Sequence, residues 1–271
     1  MLRRSLTALA LLVIGLPTVI LGGPFFFVII SIFLAGAARE YVEMFRAVDY
    51  QANETLTIGG VFLILSARAF IQQAAVPVFG LLVLAAMVVH VIEFERGRNQ
   101  AALDFAVTIS ALVYVGWIGS YLMDLRNMPD GGWWAMIVLP VVWLTDTGAY
   151  SIGAAYGRHK MTPRLSPRKT WEGFAAGVFT SVISGMFFVF AYKTFAGFQQ
   201  DITIWQGALL GLLIGLLTPL GDLGESMLKR QAHFKDSSDV FPGHGGFFDR
   251  IDSWIWAAVI GYYFIQWFIL K

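Results

Sequence analysis

Apolar residues run along this chain in long blocks, separated by short polar connections. Blocks near 5–22, 24–38, 57–71, 75–93, 101–123, 132–156, 173–194, 202–220 and 252–270 are candidates for membrane-spanning helices, each of which needs about 20 mostly apolar residues. The strands of an outer-membrane barrel would alternate in hydrophobicity over segments of about 10 residues. These blocks do not alternate. The expected class is therefore an all-α polytopic membrane protein with about nine transmembrane helices. The first two spans share the turn Gly22-Gly23-Pro24, and the third is short and carries Arg68, so eight spans is the alternative count.

Composition agrees with this pattern. Hydrophobic residues make up 57% of the 271, and charged residues only 14%, against about 25% in a soluble domain. A soluble globule of this size cannot bury so much apolar surface, so a bilayer must supply the remainder. The formal net charge of +1 leaves no global field to attract nucleic acid. There is no cysteine, which excludes disulfides, thiolate metal sites and a cysteine nucleophile. The start has the two arginines and apolar run of a signal peptide, but a second apolar run follows without a cleavage site, so it reads as a retained anchor.

Charge also orients the chain. With the amino terminus in the cytoplasm and nine alternating spans, fifteen Lys and Arg fall in cytoplasmic segments, and only Arg126, Lys193 and Lys271 fall opposite. That asymmetry is the positive-inside pattern. The chain divides into amino-terminal helices, 1–130, and carboxy-terminal helices with the cytoplasmic loops, 131–271, within one integral membrane unit. The polar segments 157–172 and 221–251 hold most of the unusual polar residues, so any chemistry is expected there.

Three clusters stand out. Asp146 lies inside the sixth span between Thr145 and Thr147, where an acid costs about 2.5–3.5 kcal/mol to insert. A snorkelling or ion-paired acid is the plainer alternative. Asp104 is a second intramembrane acid without polar company, and a structural pairing role suits it better. The second cluster, Ser166-Pro167-Arg168-Lys169-Thr170-Trp171-Glu172-Gly173, sets two cations before the seventh span, with Ser166 as the expected helix cap. It reads either as an interfacial anchor or as a phosphate clamp.

The third cluster is densest. Asp222, Glu225, Ser226 and Lys229 share one helical face, and Asp249 and Asp252 share another at the start of the ninth span. Two acidic faces that meet suit Mg²⁺, a hard cation held by carboxylates and substrate phosphates. Gly243, Gly245 and Gly246 let backbone N–H groups approach an anion closely. Cations for phosphate, carboxylates for metal and glycines for close approach together fit phosphoryl or nucleotidyl transfer at the membrane surface. A transporter would instead spread its polar residues through the spans.

The run Ser226-x-x-Lys229-Arg230, Lys235-Asp236, Pro242-Gly243-His244-Gly245-Gly246-x-x-Asp249-Arg250-x-Asp252 resembles the pattern of phosphatidate cytidylyltransferases. The 166–173 stretch is similar to a second family segment, with Arg168 where a lysine is usual, and 143–150 to a third. The resemblance implies synthesis of CDP-diacylglycerol and pyrophosphate from CTP and phosphatidic acid, with Mg²⁺ required and a K⁺ beside it. It implies that Asp222, Asp249, Lys229, Arg230 and Asp252 carry the reaction, with Asp222 and Asp249 holding the metal. It further implies that Ser166, Arg168, Lys169, Thr170, Glu172, Ser226, Lys235, Asp236, His244, Gly245, Gly246, Arg250 and Asp146 line the substrates. The expected place is the inner membrane with the site facing the cytoplasm, in contact with membrane lipids. A homodimer is left open. The rival activities are a CTP-dependent polyprenol or lipid kinase, which would move the γ-phosphate, and an ion-coupled transporter.

Overall fold

The computed structural model describes residues 13, 15–241, 243 and 245–270. Residues 15–21 are helical, and half of the first expected span, 5–12 and 14, lies outside the described residues. There follow α1 (Gly23–Arg46), α2 (Glu54–Phe70), α3 (Ala75–Glu95) and α4 (Ala101–Ala111). A π-helical segment, Leu112–Ile118, continues α4 towards α5 (Tyr121–Asn127). Then come α6 (Gly131–Tyr156), α7 (Trp171–Phe195), α8 (Ile204–Gln231) and α9 (Phe248–Phe268). Six of the described helical segments are long and apolar enough to cross a membrane. They include α1, α3 with the short turn before it, the continuous 101–127 segment, α6, α7 and α8. The remaining two, α2 and α9, are short or rich in Trp and Tyr.

The structure adds one element to the all-α expectation. Lys160–Thr162 (β1) and Ser166–Thr170 (β2) form an antiparallel ribbon between α6 and α7. Ser166 is therefore in a strand and does not cap a helix. The cap of α7 is Thr170, whose hydroxyl oxygen accepts from Gly173 N at 3.2 Å. Pro167 explains the shift, because it disfavours the helical region for Ser166 before it and suits an edge strand.

Two apolar cores share α9. One joins Ile30 and Leu34 of α1, Ile64 of α2, Leu112 and Val115 of the π segment, and Phe248, Ile251 and Ile255 of α9. The other joins Trp134, Ile137 and Val141 of α6, Leu210 and Ile214 of α8, and Phe264 and Ile265 of α9. Lipid offers no hydrophobic drive between helices, so close approach through small residues has to supply contact. On α8, Gly207, Gly211 and Gly215 are spaced by four and meet Gly185, Ser181 and Val178 of α7 so closely that an added Cβ would strike the facing helix. Ser181 Oγ donates to the carbonyl of Gly211 at 2.5 Å. At the start of α8, Thr203 and Gln206 form a reciprocal capping box.

Two ion pairs fix buried charges in the first half. Arg68 near the end of α2 meets Asp124 of α5, with its guanidinium 4.0 Å from the Trp117 ring centroid. Asp104 is not without polar company as expected: it accepts from Arg98 Nε at 2.7 Å and from Gln51 N at 2.7 Å, which ties two loops to the start of α4.

Candidate active site

Asp222, Glu225 and Asp252 come together where α8 meets α9. One carboxylate oxygen from each lies within 4.8 Å of the others. The helix repeat brings Asp222 and Glu225 to one face of α8, and α9 supplies Asp252 one turn inside its start. Gly221 permits this crossing, since a Cβ there would strike the Asp252 carbonyl and the Trp256 ring. Asp252 also accepts from Ser253 N at 2.6 Å. Glu225 is buried, and its Oε1 has no hydrogen-bond partner among the described residues. An orphaned carboxylate oxygen beside two other acids is the donor set of a hard divalent cation.

Two ammonium groups border the acids. Lys169, at the end of β2, pairs with Asp222. Lys229 is buried one helical turn after Glu225 and contacts its Oε2 at 2.9 Å, then reaches Asp249 Oδ1 at 2.5 Å. Like charges this close are tolerated only because these cations offset them. Asp146 on α6 lies within electrostatic range of Asp222, Lys169, Arg250 and Asp252. Four elements thus converge: α6, the ribbon, α8 and α9.

Asp249 stands slightly apart from the triad. Its Oδ2 accepts from Ser237 N at 2.8 Å, Ser237 Oγ at 2.6 Å and Gly246 N at 2.9 Å. The N–H of Gly246 therefore serves an anion that belongs to the protein. Gly245, at φ +74°, faces the Asp249 carboxylate where a side chain would collide, and Gly246 sits against Glu40 and Ser237 in the same way.

Other expected residues have different surroundings. Arg230, Lys235 and Asp236 are exposed, and Arg230 donates to the carbonyl of Phe234 at 3.3 Å. Arg168 is exposed on the ribbon, and Ser226 is half-buried on α8. Arg250 is half-buried, with its Nε unpartnered among the described residues. Glu172 closes the ribbon: it accepts from Arg158 N at 3.1 Å and His159 N at 3.2 Å and pairs with His159 Nδ1 at 2.6 Å. His244 lies outside the described residues.

Two residues join the candidate set. Glu225 shares a helical face with Asp222 in the sequence, yet only its burial beside Asp252 makes it the third acid. Glu40 is 4% exposed and contacts the loop between α8 and α9 from α1. Its signal in the sequence is an acid on the same helical face as Ala37 and Met44, both fully buried.

Comparison with known proteins gives the family. The model of the cytidylyltransferase family matches residues 2–268. A phosphatidate cytidylyltransferase of Synechocystis sp. is 31% identical, covering 97% of this chain and 96% of its own. Those of Staphylococcus aureus and Staphylococcus haemolyticus are 32% identical, each covering 93% of this chain and 94% of their own. A match over nearly the whole length, with the acids and lysines of the motif gathered at one junction of helices, places this integral membrane protein in the cytidylyltransferase family.

Proposed function

We propose that the chain transfers a cytidylyl group from CTP to phosphatidic acid, giving CDP-diacylglycerol and pyrophosphate. The observation that carries this reading is the junction of Asp222, Glu225 and Asp252 with Lys169 and Lys229 on a membrane-embedded helix bundle.

The reaction needs little covalent help from the protein. A phosphate monoester is largely dianionic at neutral pH, its second pKa being about 6. One of its oxygens attacks the α-phosphorus of CTP, the bond from that phosphorus to the bridging oxygen breaks, and pyrophosphate leaves with the electron pair. Lys169 and Lys229 neutralise phosphate charge, and Arg230, Arg168 and Lys235 meet the triphosphate from the aqueous side. Asp222, Glu225 and Asp252 would hold Mg²⁺, with Asp249 tied to them through Lys229 and K⁺ expected as a further cation. When bound, Mg²⁺ neutralises phosphate oxygens and orients the triphosphate. The chain's own part is to hold the acids fixed, with Glu225 and Asp252 buried, through the α7–α8 glycine contact and the Thr170 cap.

The full topology has nine spans with the amino terminus and the site on the cytoplasmic side of the inner membrane, counting the 5–22 segment, α2 and α9 as crossings. The lysine and arginine asymmetry supports this orientation. CTP then enters from water and the lipid enters sideways.

The test uses protein in detergent with Mg²⁺, phosphatidic acid and CTP labelled at the α- or γ-phosphate. Lipid label from the α position only is expected. Label from γ only would mean a lipid kinase. No lipid label from folded protein, with other lipid phosphates also offered, would return the transporter reading.

A further inference from the structure

Glu40 is a buried carboxylate with no cation beside it among the described residues. Its Oε1 accepts from Ser238 Oγ at 2.5 Å and Phe247 N at 2.9 Å. Its Oε2 accepts from Ser237 Oγ at 2.8 Å and Phe248 N at 2.8 Å. All four donors belong to the loop between α8 and α9 or to the first residue of α9, about two hundred positions away in the chain. We propose that Glu40 is a positioning residue for the active site: it pins both ends of the 237–248 loop and so sets Asp249 and Lys229 against the acidic triad. This rests on the cytidylyltransferase reading above.

The physical argument starts from cost. A carboxylate without an opposite charge is expensive to bury unless donors surround it. A neutral apolar residue would fill the same space more cheaply. What the carboxylate uniquely supplies is two oxygens able to accept four hydrogen bonds from one compact loop. Two donors are the backbone N–H groups of Phe247 and Phe248, at the start of α9, where no helical carbonyl serves them. A third, the Ser237 hydroxyl, lies between Glu40 Oε2 and Asp249 Oδ2, at 2.8 and 2.6 Å, and shares its single proton between them. Glu40, Ser237, Asp249 and Lys229 therefore form one connected chain from α1 to Glu225.

The rest of α1 is shaped for the same loop. Gly36 leaves room for the Phe247 ring, which a Cβ there would strike. Phe33 packs edge-on to Phe247 at 5.4 Å and stacks with Phe241 at 6.0 Å. Gly246 lacks a side chain where one would meet Glu40 Oε1 and Ser237 Oγ. Helix α1 thereby becomes part of what positions the loop.

The test is Glu40→Gln in the full chain, in detergent, with Asp104→Asn as a control that breaks a polar tie elsewhere in the same half. Gln keeps the size but turns two donors towards a loop that offers donors. Loss of a charge-assisted hydrogen bond changes an equilibrium by about 10- to 100-fold. Amide exchange in 235–249 should therefore accelerate at least about tenfold, with 205–220 unchanged. The rate kcat should fall at least about tenfold, with KM for phosphatidic acid within about twofold, and half-maximal activity should need several-fold more Mg²⁺. Asp104→Asn should lower thermal stability and leave loop exchange and magnesium demand unchanged. Equal loop exchange and equal magnesium demand in Glu40→Gln and the unmodified protein would overturn the proposal, whatever the yield. Should Glu40→Gln not fold, Ser238→Ala, which removes one donor, must show the same loop loosening in smaller degree or the proposal fails. Absence of turnover in the unmodified protein would sink the enzyme reading, while exchange would still decide the role of Glu40.

Discussion

Lys229 bridges two carboxylates on different helices: its Nζ is 2.9 Å from Glu225 Oε2 on α8 and 2.5 Å from Asp249 Oδ1 on α9. All three side chains are at least nine-tenths buried. The ammonium is thus both a cation of the candidate site and the tie between the helices that build it.

Lys229→Met should therefore damage structure and rate together. Removing one partner of a buried ion pair costs about 3–5 kcal/mol, because the other charge is left uncompensated. We expect a lower melting temperature in detergent and a loss of kcat of at least about 10²-fold. Retained stability with normal turnover would remove Lys229 from both roles.

Asp222→Asn and Asp249→Asn should each reduce turnover by at least about 10²-fold. The two should differ in stability. Asp222 is about a third exposed and, among the described residues, pairs with Lys169 alone, so its substitution should leave melting nearly unchanged. Asp249 holds Lys229, Ser237 and Gly246, so its substitution should also loosen the loop. Identical melting curves for both variants would contradict this division.

Glu225→Gln tests the orphaned oxygen. If Oε1 serves a divalent cation, the variant should need at least about tenfold more Mg²⁺ for half-maximal activity. Calorimetric titration of Mg²⁺ into the protein without substrates should weaken in parallel. An unchanged magnesium dependence would leave Glu225 as the partner of Lys229 alone.

Thr170→Ala removes the cap of α7, worth about 1 kcal/mol. Because Lys169 precedes it and pairs with Asp222, the substitution should also lower kcat/KM several-fold. Ser166→Ala, at the far end of β2, should leave the stability of α7 unchanged. The reverse outcome would restore Ser166 as the helix start.

Arg68→Leu breaks the buried pair with Asp124 at the opposite end of the helices from the acidic triad. It should cost about 3–5 kcal/mol of stability, with kcat per folded molecule unchanged. Lost turnover in fully folded protein would mean that the far end of the bundle couples to the site.

The amino-acid sequence by itself determined that this is a helical membrane protein and where most of its helices run, because roughly 20 consecutive apolar residues have no other low-energy place. It also brought Asp222, Glu225 and Lys229 onto one face, since the 3.6-residue repeat makes i, i+3 and i+7 neighbours within a single helix. The family motifs in 166–173 and 226–252 were legible for the same local reason. Tertiary structure decided which acids meet. Asp252 joins Asp222 and Glu225 because Gly221 lets α9 cross close to α8. Asp249, three residues earlier, turns to Lys229, Ser237 and Gly246. Glu40 reached the loop from α1, beyond any local pattern. Periodicity describes the neighbours within one helix. Contacts between helices depend on how small residues let backbones approach, and on which donors a loop must satisfy once it is buried.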